Sequence, residues 1–181
     1  MPGRRSLLGS ALGLALAAGL AGCGWTPLYA DRETGPAAAE LQAIRVAPIA
    51  ERIGQKLAWG LRAALNPTGI ATPQRYLLRV TLQVTRADLG VLTQGLGTRG
   101  RLEVYANYAL NEIRSGASLL TGTSHVAESF DILANEYSNL VAEEDARTRA
   151  AEEVRRDIMD RLIVFMQHRA AAAPAPPPAK P

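Results

Sequence analysis

Only one cysteine, Cys23, occurs in the 181 residues, and only two histidines, His125 and His168. A single thiol excludes an internal disulfide framework and any multi-cysteine metal site, and the two histidines lie too far apart for zinc-motif spacing. Lysine is nearly missing as well. Of twenty basic residues only Lys56 and Lys180 are lysines, so any anion this chain grips is gripped by guanidinium groups that fork onto phosphate or carboxylate. No excess of glycine or proline marks a collagen-like or wholly disordered chain, and the length favours one domain. The net charge of +3 carries no sign of nucleic-acid binding: Arg4 and Arg5 supply two of the positives, leaving 18 basic against 17 acidic residues.

The first residues set an address. Arg4 and Arg5 precede an uncharged run, Ser6 to Gly22, rich in leucine, alanine and glycine. The run is marginal for a membrane span but has the size of a signal-peptide core. It ends in Leu20-Ala21-Gly22-Cys23. This tetrapeptide resembles the bacterial lipobox, in which the cysteine is acylated and becomes the first residue of the mature chain. A lone thiol at this place is explained by a thioether-linked lipid, and several acyl chains at about 0.8 kcal/mol per buried CH₂ make the anchoring lasting. Gly24 rather than Asp follows, which by analogy with lipoprotein sorting implies the outer membrane, periplasmic side. Residues 1–22 are thus read as a signal peptide and 23–40 as a lipidated segment and linker. Trp25 and Tyr29 are amphipathic rings suited to a membrane interface or partner contact.

The hydrophobic pattern then outlines one domain over residues 41–169. Leu41 to Val46 alternates like a short strand; Ile53, Leu57, Leu61 and Leu65 form one helical stripe that Asn66-Pro67 stops. Gly60 weakens that helix unless close packing needs it. Trp59 lies off the stripe, either as a partner contact or as a helix edge folded over a sheet. Strict alternation marks strands over Leu78–Thr85 and Arg101–Leu110, and a turn at Arg114-Ser115-Gly116 leads to a third run, Leu119 to Phe130. A long helix follows, from Ser138 as N-cap to Arg169, with Ala146, Ala150, Val154, Ile158 and Leu162 on one face. Residues 170–181, rich in alanine and proline, read as a disordered tail. The fold class is α+β: a two-layer sandwich in the order β-α-β-β-β-α, with about four mostly antiparallel strands and both helices on one face. The other sheet face is left for a partner.

Catalytic chemistry finds no support. Gly95 to Gly100 matches G-x-G-x-x-G, but a strand follows where a dinucleotide site needs a helix N-terminus. Ser124 and His125 are neighbours on a strand and point to opposite faces, and Glu143-Glu144-Asp145 suits a helix start better than a carboxylate pair. The expectation is a protein that is not an enzyme and holds no cofactor or metal. The glycine-rich loop does present Arg99 and Arg101, either as phosphate ligands or as a solvated hairpin tip.

The segment CGWTPLY from Cys23 to Tyr29 resembles the start of the alphaproteobacterial lipopolysaccharide-assembly lipoproteins, the LptE family. Phe130-Asp131 through Tyr137-Ser138, followed by Ala142 to Ala146, resembles that family's passage from the last strand into the last helix. The resemblance implies an outer-membrane lipoprotein seated as a one-to-one plug in the β-barrel LptD, aiding its assembly and the insertion of lipopolysaccharide into the outer leaflet. It makes Arg99 and Arg101, and after them Arg79 and Arg86, candidates for the lipopolysaccharide phosphates, and Trp25, Tyr29 and Trp59 candidates for partner contact. A pilotin or scaffold lipoprotein of another envelope complex is the alternative.

Overall fold

The computed structural model describes residues 36–91 and 97–172. Residues 1–35, 92–96 and 173–181 lie outside them, and with them the readings of Cys23, Trp25, Tyr29 and the signal peptide over 1–22. Seven elements follow in order: α1 (Pro36–Gln42), β1 (Ile44–Val46), α2 (Glu51–Leu65), β2 (Tyr76–Val91), β3 (Gly97–Glu112), β4 (Ser118–Asp131) and α3 (Glu136–Ala172). The four strands make one sheet in the order β1-β2-β3-β4, with β1 parallel to β2 and the two hairpins antiparallel. The α+β reading holds, with a third helix added.

That helix corrects the linker reading. Pro36 can open a helix without losing a needed N–H, and Ala37, Ala38 and Leu41 are buried, Leu41 within the common core. Seven residues are too few to hold a helix by propensity alone, so a run of small residues looked like linker until packing decided it. The first strand is accordingly only Ile44–Val46, beginning where α1 stops.

The other elements follow their patterns and outgrow them. Even-numbered residues of β2 and β3, Leu78 and Val80 then Leu102, Val104, Ala106, Tyr108 and Leu110, point to the helices and form the core with Leu57, Leu61, Val154, Ile158 and Leu162. Hydrogen-bonded register carries β2 on to Val91 opposite Gly97, well past the strict alternation. The β3–β4 turn is tied by Gly116 N–H to Glu112 O (2.9 Å), with Gly116 at φ 70°. Two aromatic rings lie across facing glycines on the inner face. A Cβ on Gly122 would sit 2.5 Å from Tyr108 Cζ, and one on Gly100 2.6 Å from Phe130 Cε2. Gly60 is explained in the same way, since Arg155 Cδ occupies the space of its missing Cβ.

α3 begins earlier than Ser138. Asn135 is the cap: its Oδ1 accepts from Tyr137 N–H (3.0 Å) and Ser138 N–H (3.4 Å), satisfying two orphan donors of the first turn. Asn139 clamps the preceding loop, accepting from Leu133 N–H (2.7 Å) and donating to Leu133 O (2.9 Å). The 37 residues of α3 span about 55 Å at 1.5 Å per residue. Its apolar row recurs every fourth residue and so turns by about 40° at each step, which suits a helix packed against β4, α2 and α1 rather than one strand pair. Ala170 to Ala172 continue the helix, shortening the expected tail from its front.

Candidate functional site

The odd-numbered residues of β2, β3 and β4 make a broad polar face on the side away from the helices. Arg79, Thr81, Gln83, Thr85, Arg99, Glu103, Asn107, Thr123 and His125 lie on it, most of them exposed. Tyr105 and His125, paired in register, stack at its centre with ring centroids 4.2 Å apart and planes 15° from parallel. Thr123 donates to Asn107 Oδ1 at 2.8 Å beside them. Ser124, buried, points the other way, so the Ser124–His125 neighbours are split between faces as alternation requires.

The four arginines named from sequence do not form one site. Arg99 and Arg101 share the open face and, two residues apart on one strand, stand about 7 Å from each other. Arg79 shares the face but lies opposite Ala109, while Arg101 lies opposite Ala87. Eight residues of strand separate them, about 26 Å, too far for one phosphate. Arg86 is on the wrong face. Its guanidinium meets Glu143 Oε2 and Asp88 Oδ1, each at 3.2 Å, and lies 5.6 Å over the Phe130 ring. The even position that makes it inward was readable; that a carboxylate of α3 waited there was not.

Arg99 and Arg101 are themselves partly occupied. Arg99 Nε is 3.6 Å from Asp131 Oδ1, and Arg101 Nε is 3.0 Å from Glu103 Oε1 without the alignment of a hydrogen bond. An incoming phosphate competes with one carboxylate at each. Both sit toward the start of β3, and Gly97 to Gly100 are strand, which leaves no helix N-terminus there for a dinucleotide.

Most α3 arginines are held within the helix. Arg147 bonds Glu143, Arg161 bonds Asp157 at 2.9 Å, and the pairs Arg149–Asp145, Arg155–Glu152 and Arg156–Glu153 follow the same acid-before-base order, three or four residues apart. That order suits the helix dipole, at about 0.2–0.5 kcal/mol per pair. Hydrogen bonding to Arg155 holds the Glu152 carboxyl below its usual range, and hydrogen bonding to Asp157 pushes the Arg161 guanidinium up. Between helices, Lys56 donates to Glu144 Oε1 (2.6 Å) and Thr148 Oγ1 (2.8 Å), and this bond lowers the Glu144 carboxyl. At the far end Tyr76 donates to Glu40 Oε2 (2.7 Å); burial, reinforced by that bond, raises its phenol.

Trp59 stands on the outer side of α2, 75% exposed, three residues after Lys56 and turned away from Leu57 and Leu61. It covers no part of the sheet. A feature missed in the sequence lies at the start of α3: Leu133, Tyr137, Leu140 and Val141 are all exposed, at the same end of the sheet as Arg99 and the exposed Leu89. Tyr137, Leu140 and Val141, three or four residues apart, make a second apolar stripe, hidden beside the stronger row through Ala146. Among the described residues no group of three His, Cys, Asp or Glu side chains is placed to hold a metal, and no helix is long and apolar enough to cross a membrane.

No protein-family model matches the sequence, and no curated protein matches it significantly. Solved structures do resemble it. A structure from Caulobacter crescentus, assigned as a lipoprotein, superposes with a TM-score of 0.60 at 23% identity, covering 72% of this chain and 96% of its own. A minor lipoprotein from Acinetobacter baumannii gives 0.49 at 21% identity, covering 70% and 90%. Rare lipoprotein B from Shewanella oneidensis gives 0.43 at 16%, covering 71% and 96%. The first of these establishes a shared fold.

Proposed function

We propose that this chain is a lipid-anchored plug of the outer membrane, held on its periplasmic side by acylated Cys23. It seats one-to-one in a large β-barrel of the LptD kind, helps that barrel assemble, and assists lipopolysaccharide insertion into the outer leaflet without catalysing a reaction. The observation that carries the reading is a fold shared with the Caulobacter lipoprotein, behind a leader that ends in Leu20-Ala21-Gly22-Cys23. The polar sheet face supports it, since a plug meets a wet barrel lumen with side chains that are at ease in water. In this reading Arg99 and Arg101, which share the open face, meet lipopolysaccharide phosphates, while Arg79 stands apart and Arg86 is held by Glu143.

A pull-down of the tagged lipoprotein from gently solubilised envelopes tests the partner. A stable one-to-one, heat-modifiable β-barrel is expected; an inner-membrane complex or a secretin instead would move the chain to the pilotin class. For the ligand, the Arg99→Ala/Arg101→Ala variant is expected to lose lipopolysaccharide binding and Arg86→Ala to keep it. Unchanged binding in the double variant would remove the arginine pair from the reading.

A further inference from the structure

Among the described residues four arginines have no carboxylate partner: Arg45, Arg62, Arg79 and Arg114, all exposed. Every other described arginine is in an ion pair. The four are not scattered. They lie toward one end of the sheet, marked by the row in which Ile44 pairs with Tyr76 and Tyr76 with Glu112. Arg45 is one residue along β1 from that row, and Arg79 is three along β2. Arg114 stands in the turn after β3, and Arg62 comes from the last turn of α2, donating to Val46 O at 3.4 Å.

Arg45 and Arg79 belong together. Arg45 pairs with Leu77, so it shares the open polar face with Arg79, one strand over and two residues on, about 8 Å away. The residues of that face from Leu77 to Gln83 on β2 and from Tyr105 to Asn111 on β3 include no acid. Arg45 and Arg62 also line a cleft of about 350 Å³ beside the β1 edge, with Gln42, Asn66 and Gln74, and no acid lines it. Glu40 and Glu112, the acids of the row and of the neighbouring α1, are already paired: Glu40 with Arg75 (2.7 Å) and the Tyr76 hydroxyl, Glu112 with Arg169 (3.9 Å). Since arginines elsewhere are matched to carboxylates, the positive surplus collects here. Two exposed aliphatic side chains accompany it: Ile70 on the cleft, and Ile113, whose N–H donates to Arg75 O.

The place where the chain enters the domain points to the partner. α1 sits at this same end, tied through Glu40 to Arg75 and Tyr76. Cys23 lies thirteen residues before Pro36, at most about 45 Å at full extension. An acyl anchor on Cys23 therefore keeps this end beside a bilayer, where even weak contacts act at high effective concentration. Guanidiniums suit the phosphates of that surface, and aliphatic side chains suit the layer just beneath them.

We propose that the end of the domain bearing Arg45, Arg62, Arg79 and Arg114 docks on an anionic phospholipid surface, with its guanidiniums on headgroup phosphates and Ile70 and Ile113 at the interface. The choice of a membrane rests on the acylated-Cys23 reading and not on the lipopolysaccharide reading.

The test uses the mature chain from residue 23 with Cys23→Ser, so that no acyl chain does the binding. It is sedimented with vesicles of phosphatidylcholine alone or with about 30% phosphatidylglycerol. A preference of about tenfold or more for the anionic vesicles is expected, shrinking as salt is raised. At about fivefold per arginine, Arg45→Gln/Arg79→Gln is expected to bind them about 25-fold more weakly with its circular dichroism preserved. Arg52→Gln/Arg156→Gln removes the same net charge elsewhere and is expected to stay within about twofold of the parent. Equal weakening by both double variants would reduce the effect to net charge and overturn the site. Equal binding to the two vesicles, or binding to neither, also overturns it and leaves the arginines to an acidic protein partner. The mass of the mature protein from envelopes reads acylation separately, so an unmodified Cys23 with the vesicle preference intact would remove the anchor and keep the docking surface.

Discussion

Tyr108 lies flat across Gly122, its partner in register, and the ring is 4% exposed. In Gly122→Ala the new Cβ would stand 2.5 Å from Tyr108 Cζ, well inside any tolerated approach. The ring has little room to yield, with the β4 backbone beneath it and Arg161 at its hydroxyl. Overpacking of this kind costs about 1–3 kcal/mol. Against it stands a gain of about 0.4–1 kcal/mol, because alanine has fewer unfolded conformations to lose than glycine. The net expectation is a loss of about 1–2 kcal/mol. The assay is urea unfolding of a chain from Asp31 to Pro181, in the parent, Gly122→Ala, Tyr108→Leu and the double variant. Tyr108→Leu is itself destabilising, but in its background the alanine meets no ring. The penalty of Gly122→Ala should therefore vanish or turn into a small gain, a coupling of at least about 1 kcal/mol. Equal destabilisation by Gly122→Ala in both backgrounds would refute the ring-over-glycine account and point to a backbone requirement instead.

Asn135→Ala should cost about 1 kcal/mol and lower the melting midpoint by a few degrees, while Ser138→Ala should change it little; thermal scans of the two separate the observed cap from the one the sequence suggested. Ile158→Ala, at a wholly buried position, should cost about 2–5 kcal/mol in denaturant unfolding. Glu144 is depressed by its bond to Lys56, so its contribution is present above the ordinary glutamate pKa of 4.5 and is lost as pH falls through the lower folded value. With the pair partly exposed the effect stays below about 1 kcal/mol, and Lys56→Met should remove that part of the acid-side slope when unfolding midpoints are followed from neutral pH downward.

The local patterns were legible wherever one face of an element is buried. Alternation through Leu78 and Val80, and through Leu102 to Leu110, names the inner face because strand side chains change sides at every residue. The four-residue rows of Ile53 to Leu65 and Ala146 to Leu162 name the helix faces for the same kind of reason, and the lipobox-like sequence needs no fold to be read. What stayed hidden has a common cause. α1 is too short to announce itself and exists because Ala37 and Leu41 find a core to enter. Asn135 takes over the cap because the chain leaving β4 is clamped at Leu133 by Asn139, a contact that no periodicity encodes.

The candidate site divides along the same line. Sequence alone determined that nearly all the basic groups are arginines and that Arg99 and Arg101 share a face, since residues two apart on a strand must. Only the tertiary structure decided that Arg79 is a strand's length away and that Arg86 belongs to Glu143. Period and residue type are properties of the chain's own neighbours, whereas register, long-range ion pairs and free edges arise when distant segments meet.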